Sequence, residues 1–372
     1  MAGTKQHESA VDRIRQRVEE KAARRAAAAK DVASGEGDAE LPADVPDSGR
    51  LPGVTAEQPT AIPWAGWKQI FKRAWAENQA DNMPIISGGV AFFGFLSIFP
   101  GLIALISIYG LVASPATVST QVDNLAKNLP ASAAELIKEQ LRSITSHSGG
   151  ALTVSLIVSI LAALWAASSG MSNLITAVNL AYDEAETRNF VKLRLLSLAL
   201  TIGGIVFVLI TFSLVAVVPA VISALPLGAG GTILAEIVNW VVLLGVFAGA
   251  LSVLYRVAPD RDAPRFRWVS LGSVVVTVIW ALVSLVFAFY VDNFGSYDKT
   301  YGTIAGVIVL MLWLYLTCYL ILLGAEINSE TEHQTARDTT VGRPAPMGDR
   351  GAEKADSLPD PANPTKADKP SA

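Results

Sequence analysis

The stretch WLYLTCYLILLGAEINSE, residues 313–330, decides the fold. Traced back to Gly302, it forms an apolar run that ends on Gly-Ala-Glu. A helix needs about 20 apolar residues to cross a hydrocarbon core about 30 Å thick. Without water in that core, a helix satisfies its own backbone polar groups, whereas an open strand does not. Glu326 is the odd feature, because a helix C-terminus carries partial negative charge and disfavours a carboxylate.

Working outward, six stretches qualify as spans: Pro84–Val112, Ala151–Ala181, Leu195–Ile222, Thr232–Leu254, Trp268–Val291 and Gly302–Glu326. With 51% hydrophobic and 17% charged residues, the chain falls in the membrane class. The expected fold is an all-α membrane protein, a bundle of six transmembrane helices, with Pro100 kinking the first span. Residues 1–60 and 331–372 are rich in Ala, Pro, Gly and charge, and read as disordered cytoplasmic tails around a transmembrane domain at 61–330.

One cysteine, Cys318, excludes an internal disulfide, and the scattered His7, His147 and His333 show no metal-ligand spacing. No cofactor is expected. No cleavable leader is visible at the N-terminus, so the first span is expected to direct insertion. Lys68, Lys72 and Arg73, then Arg188, Lys192 and Arg194, then Arg256, Arg261, Arg265 and Arg267 flank alternate span ends. Basic residues concentrate on the cytoplasmic side, which places both termini there in a bacterial inner membrane.

Ahead of the first span, WAGWKQIFKRAWAENQA (64–80) sets Trp64, Trp67, Phe71 and Trp75 on one helical face, the pattern of an interfacial amphipathic helix. In the long outer loop, Ser132 to Glu135 is a capping box, with Ile137, Leu141 and Ile144 following at helical spacing. Small residues recur in the spans, including Gly245 and Gly249 as GxxxG, which suits an internal contact or a homo-oligomer. Ser155, Ser159, Ser169, Asn173 and Thr176 share a face of the second span. That face lines a polar cavity or glues helices together, and packing is the preferred reading.

The chain resembles the YihY/BrkB family of bacterial inner-membrane proteins, formerly labelled ribonuclease BN. The likeness rests on VAFFGFLSIFP (90–100), LWAASSGMSNLITAVNLAY (164–182), LYRVAP (254–259) and FYVDNFGSYDKTYGTIAGVIVLMLWLYLTCYLILLGAEINSE (289–330). It implies a multi-pass protein with no agreed biochemical activity. The ribonuclease label has no support in the residues, since nuclease chemistry calls for clustered carboxylates or histidines. No nucleic-acid partner is expected.

The sites worth following are few. Glu326 is expected to pair at the cytoplasmic rim with Arg256, ahead of Arg188 and Arg194, and to continue a column with Tyr315 and Tyr319. Asp81 and Asn82 read as the N-cap of the first span. Asp292, Tyr297, Asp298, Lys299 and Tyr301 form a candidate outer turn. Function narrows to a carrier or flippase-like transporter of a lipid or other amphiphile, with the bilayer as its setting. The alternative is a membrane scaffold whose tails recruit partners, and a membrane-bound enzyme ranks last.

Overall fold

The computed structural model describes residues 49–112, 154–226, 228–294 and 303–367. The helices are α1 (Trp64–Ala80), α2 (Met83–Val112), α3 (Val154–Ala181), α4 (Phe190–Phe212), α5 (Val218–Ala224), α6 (Gly228–Val257), α7 (Phe266–Phe294) and α8 (Thr303–His333). Six of them, α2, α3, α4, α6, α7 and α8, are long and apolar enough to cross a membrane. The expected outer-loop helix from Ser132 lies outside the described residues, as do Tyr297, Asp298, Lys299 and Tyr301. Asp292 falls in the last turns of α7.

Local chemistry sets the breaks. Pro100 lies inside α2 and lacks the N–H that would bond the Leu96 carbonyl. Between α4 and α5, Ser213–Val217 is π-helical and Pro219 opens the next helix. The π turn shifts the hydrogen-bond register just ahead of a residue that has no donor. Asp81 closes α1, and Asn82, at φ 54°, turns the chain directly into α2. Asn82 accepts the first bonds of α2 through its backbone carbonyl, while its side chain reaches back to Ala80 O. The expected side-chain N-cap is therefore a left-handed hinge, a conformation that asparagine tolerates better than most residues.

α8 is the hub, packing on α1, α2, α3 and α7. Around it α2 pairs with α3, α3 with α4 and α6 with α7, while α4 and α6 meet only lightly. Several close approaches depend on glycine, two of them between spans, at Gly170 and Gly324. A Cβ on Gly170 would lie 2.6 Å from Ser97 Oγ, and one on Gly324 would lie 2.5 Å from the Tyr255 hydroxyl. By contrast, Gly245 and Gly249 have nothing within 4 Å, so this GxxxG makes no contact inside the described molecule.

Burial is lopsided. The main core gathers Met83, Val90, Ile175, Val178, Leu251, Tyr255, Val269, Val276, Leu322 and Ala325, all from one end of the bundle. Toward the opposite end, α7 buries no described residue beyond Thr277, and α6 buries none before Leu251 except Asn239. Between Ala305 and Leu320, α8 likewise buries none. An aromatic layer marks the change. Phe207 faces Phe247 at 6.0 Å, Phe247 stacks on Trp280 at 4.3 Å, and Trp280 meets Trp313 at 6.1 Å. The Trp280 indole also donates to Thr317 Oγ1 at 3.1 Å.

The tail boundaries need correction. Residues 51–60 and 331–367, expected to be disordered, pack against the core end of the bundle. Leu51, Val54 and Ala336 form a small core with Met347 and Leu358. Thr335, Gln334 and Ala336 donate to the carbonyls of Ala56, Pro52 and Val54. Their composition offers little apolar surface to offset the entropy of ordering. Here the ordering comes mainly from hydrogen bonds and buried charge on a surface already in place.

Candidate functional site

α8 does not end at Glu326. It runs seven residues further, to His333, a basic residue in the last turn that suits the helix dipole. The final two turns carry Glu326, Glu330, Glu332 and His333, every one of them buried. α1 faces them with Arg73, Glu77 and Asn78, while Trp64, Phe71 and Trp75 are exposed on its opposite side. Of the aromatic face expected for the headgroup layer, these three are exposed, whereas Trp67 packs against Ile62, Ile70 and Trp268. Arg73, grouped in sequence with the solvated lysines, instead points inward.

The Arg73 guanidinium donates through Nε to Glu330 Oε2, and through its other nitrogens to Pro364 O at 2.8 Å, Glu330 O at 3.1 Å and Gln334 Oε1 at 2.9 Å. Lys354, from the C-terminal segment, reaches the same carboxylate. Its Nζ lies 2.6 Å from Glu330 Oε1, 3.1 Å from Asp183 Oδ2 and 3.4 Å from Glu77 Oε1. His333 Nδ1 lies 3.4 Å from Glu330 Oε2. Asp183 takes its place because α3 closes on a left-handed residue, with Asp183 at φ 57° and the Glu184 N–H bonded to Asn179 O.

A second knot ties the connections between spans. Arg261 donates to Glu332 Oε2 at 2.6 Å and lies over the Tyr182 ring at 4.9 Å. Burial, reinforced by the Glu332 charge, pushes the Tyr182 phenol far above its ordinary range and keeps it neutral. Asp260 accepts from Thr187 N at 2.6 Å, and its own N–H donates to Asn179 Oδ1 at 2.7 Å. Arg188 bonds Glu186 at 2.6 Å and Ala258 O at 2.8 Å.

Glu326 and Arg256 are not brought together. The Tyr255 hydroxyl, not Arg256, meets α8, donating to Ile321 O at 2.7 Å. Successive helical residues point about 100° apart, so Arg256 faces away and lies over the Phe266 ring at 4.0 Å. Arg188 is occupied as above, and Arg194 lies over the Trp165 ring at 3.9 Å while donating to Trp165 O. Glu326 is left 1% exposed, with no hydrogen-bond partner at Oε1. Asp81, Lys354, Glu330 and Asp183 are the charges that act on it.

Tyr315 and Tyr319 stack at 6.4 Å, and Asn78 donates to the Tyr319 hydroxyl at 3.2 Å. The Tyr319 hydroxyl thus meets α1 and not Arg256. On the polar face of α3, Thr176 is exposed, and the described side chains of Asn173 and Thr176 donate to the carbonyls of Ser169 and Ser172 in their own helix. α3 packs instead through Ala163, Ala167, Ser168, Gly170 and Ile175. Of Ser155 and Ser159 the structure places the backbone in α3.

Sequence reasoning missed Glu330, Glu332, Glu77, Asp183, Arg261 and Lys354. The available signal was acids at 326, 330 and 332 on a helix continuing from an apolar span, facing Arg73 and Glu77 one turn apart. Lys354 had none, because its contact closes a loop of 24 residues back to Glu330 and 277 to Glu77.

The molecule is a multi-pass helical membrane protein whose one end is closed by ion pairs drawn from its own connections and C-terminal segment. Among the described residues no group of three His, Cys, Asp or Glu could hold a metal ion. The chain belongs to the family described as Virulence factor BrkB, which matches residues 74–347. It is 36% identical over 268 residues to the ribonuclease-like protein YfkH of Bacillus subtilis, covering 70% of this chain and 93% of that one. A UPF0761 membrane protein of Alteromonas mediterranea is 27% identical over 252 residues, covering 67% and 82%. One from Vibrio vulnificus is 25% identical over 283 residues, covering 74% and 86%. No solved structure matches.

Proposed function

We propose that the protein is a carrier or flippase-like transporter that moves a lipid or another amphiphile across or within a bacterial inner membrane. The observation that supports this reading is the asymmetry of the bundle. One end is packed and closed by charge pairs, and beyond the Phe207, Phe247, Trp280 and Trp313 layer the described helices α4, α6, α7 and α8 bury little of one another. Apolar chains suit such exposed faces, and the aromatic layer forms a floor with a polar edge at Trp280 and Thr317. The charged end carries the arginines of the span connections, which favours placing it in the cytoplasm.

The test is reconstitution of the full chain in liposomes with fluorescent lipid and solute reporters. Wild-type vesicles should move at least one amphiphile faster than empty ones, and Trp280→Ala should slow that movement while leaving protein abundance unchanged. Rates equal to those of empty vesicles across a broad panel would refute the carrier reading. The scaffold alternative rests on free tails, and residues 331–367 are used within the molecule.

A further inference from the structure

Lys354 sits on a short helical turn, Glu353–Ala355, that is 2% exposed at the lysine and lies against the closed end of the bundle. Its three N–H donors meet oxygens from three separate elements, Glu77 of α1, Asp183 after α3 and Glu330 of α8. An ammonium has three donors in a tetrahedral arrangement, which suits converging carboxylates; a planar guanidinium does not. Glu326 lies one helical turn before Glu330 on the same face of α8, with an unpartnered, buried Oε1.

The segment that delivers Lys354 is braced by its own hydrogen bonds. Arg350 donates to the carbonyls of Ala336, Arg337, Ala345 and Ala355, and Asp356 accepts from the N–H groups of Gly348, Arg350 and Ala352. The bonds to Ala345 and Ala355 and the three to Asp356 lie within residues 345–356 and survive if the segment lifts, whereas those to Ala336 and Arg337 tie it to the docked end of α8. Its buried apolar residues are Ala352, Ala355 and Pro359, with Met347 and Leu358 half-buried against Leu51 and Val54. The buried ones are small groups, so docking depends heavily on Lys354 and on a few hydrogen bonds: Glu353 N to Glu184 Oε1 at 2.9 Å, Asp262 N to Gly351 O at 3.1 Å and Arg73 to Pro364 O at 2.8 Å. Departure of Lys354 alone would leave buried carboxylates uncompensated, a strongly unfavourable state. Exchange with another cation of the same shape avoids it.

We propose that Glu77, Asp183, Glu330 and Glu326 form a binding site for a primary ammonium group, occupied by Lys354 when the C-terminal segment is docked and by an external amine when it lifts. The source is a free amine or the headgroup of an amine-bearing lipid, and either one meets the same carboxylates. The site stands whether or not the protein transports.

The experiment uses the full chain in neutral detergent, with hydrogen exchange of residues 348–367 followed in the wild type. Ethylammonium chloride should raise that exchange several-fold, and tetramethylammonium chloride at equal ionic strength should not. In Lys354→Ala, ethylammonium should restore the lost thermal stability selectively. A lipid with a primary-ammonium headgroup, compared with its trimethylated counterpart in mixed micelles, identifies the lipid as the source if it acts at lower concentration than ethylammonium. A selective response in either readout supports the site. Equal responses to the primary and quaternary ions, or no response in either readout, would overturn it. The wild-type measurement stands alone if the variant does not fold.

Discussion

Replacing Arg73 by Met removes a cation that is fully buried and leaves four acceptors without their donor: Glu330 Oε2, Glu330 O, Gln334 Oε1 and Pro364 O. Breaking a buried pair by removing one partner costs about 3–5 kcal/mol, mostly because the remaining charge stays desolvated. Glu330 keeps Lys354 at 2.6 Å, which partly compensates and favours the lower part of that range. Arg73→Lys keeps the charge but cannot span Glu330, Gln334 and Pro364 at once, so it should fall between wild type and Arg73→Met. Adding Glu330→Gln to Arg73→Met removes the stranded charge. The double variant should then lose less than the sum of the singles, with a coupling of about 1–3 kcal/mol. The assay is reversible unfolding of the full chain in mixed micelles, with membrane abundance measured alongside. Additivity within about 0.5 kcal/mol would refute the claim that Arg73 and Glu330 act as a buried unit.

Two further outcomes follow from packing and from burial. Gly324→Ala places a Cβ 2.5 Å from the Tyr255 hydroxyl and 2.6 Å from Val276 Cγ2, and should cost about 1–3 kcal/mol by overpacking in the same unfolding assay. Gly245→Ala, with nothing within 4 Å, should cost nothing measurable beside it. Burial raises the Asp356 carboxyl above its ordinary value, although three backbone N–H groups pull it down. A raised acid stabilises the folded state below its unfolded pKa and loses that contribution as pH rises through the folded one. Docking of the C-terminal segment, read by hydrogen exchange, should therefore weaken from mildly acidic pH upward through that interval, and this component should be absent in Asp356→Asn.

The legible part of the fold was the part governed by solvent. Six spans follow from runs such as 313–324, because lipid forbids an unsatisfied backbone, and that constraint acts on each segment alone. The amphipathic α1 was legible for the same reason, through the spacing of Trp64, Phe71 and Trp75. Pairings were not. Glu326 and Arg256 lie at similar depth, yet which residue of α6 meets α8 is set by helix rotation, and Tyr255 takes the contact. Hydroxyls misled in the same way. Ser87, Ser197, Ser252, Ser273 and Thr277 bond the carbonyl four residues back in their own helix, so few remain for a neighbour. The C-terminal segment was illegible because composition reports how much apolar surface it can bury, not whether a charged surface waits to receive it.

That receiving surface explains why so many ionisable groups are buried at one end of a membrane bundle. Net stability is a weak reason, since an apolar cluster of equal volume would serve about as well. Specificity of closure is a stronger one. Glu330 can be satisfied only if α1 supplies Arg73 and the segment after α8 supplies Lys354, and Glu332 only if the α6–α7 connection supplies Arg261. Each pair thus reports that a different element is in place, and any element that lifts leaves a desolvated charge behind. An end built this way closes cooperatively or not at all, whereas the far halves of α6 and α7, held by few contacts, can shift without such a penalty. Conformational change in the molecule should therefore concentrate beyond the Trp280 layer while the charged end stays shut, unless a cation replaces Lys354.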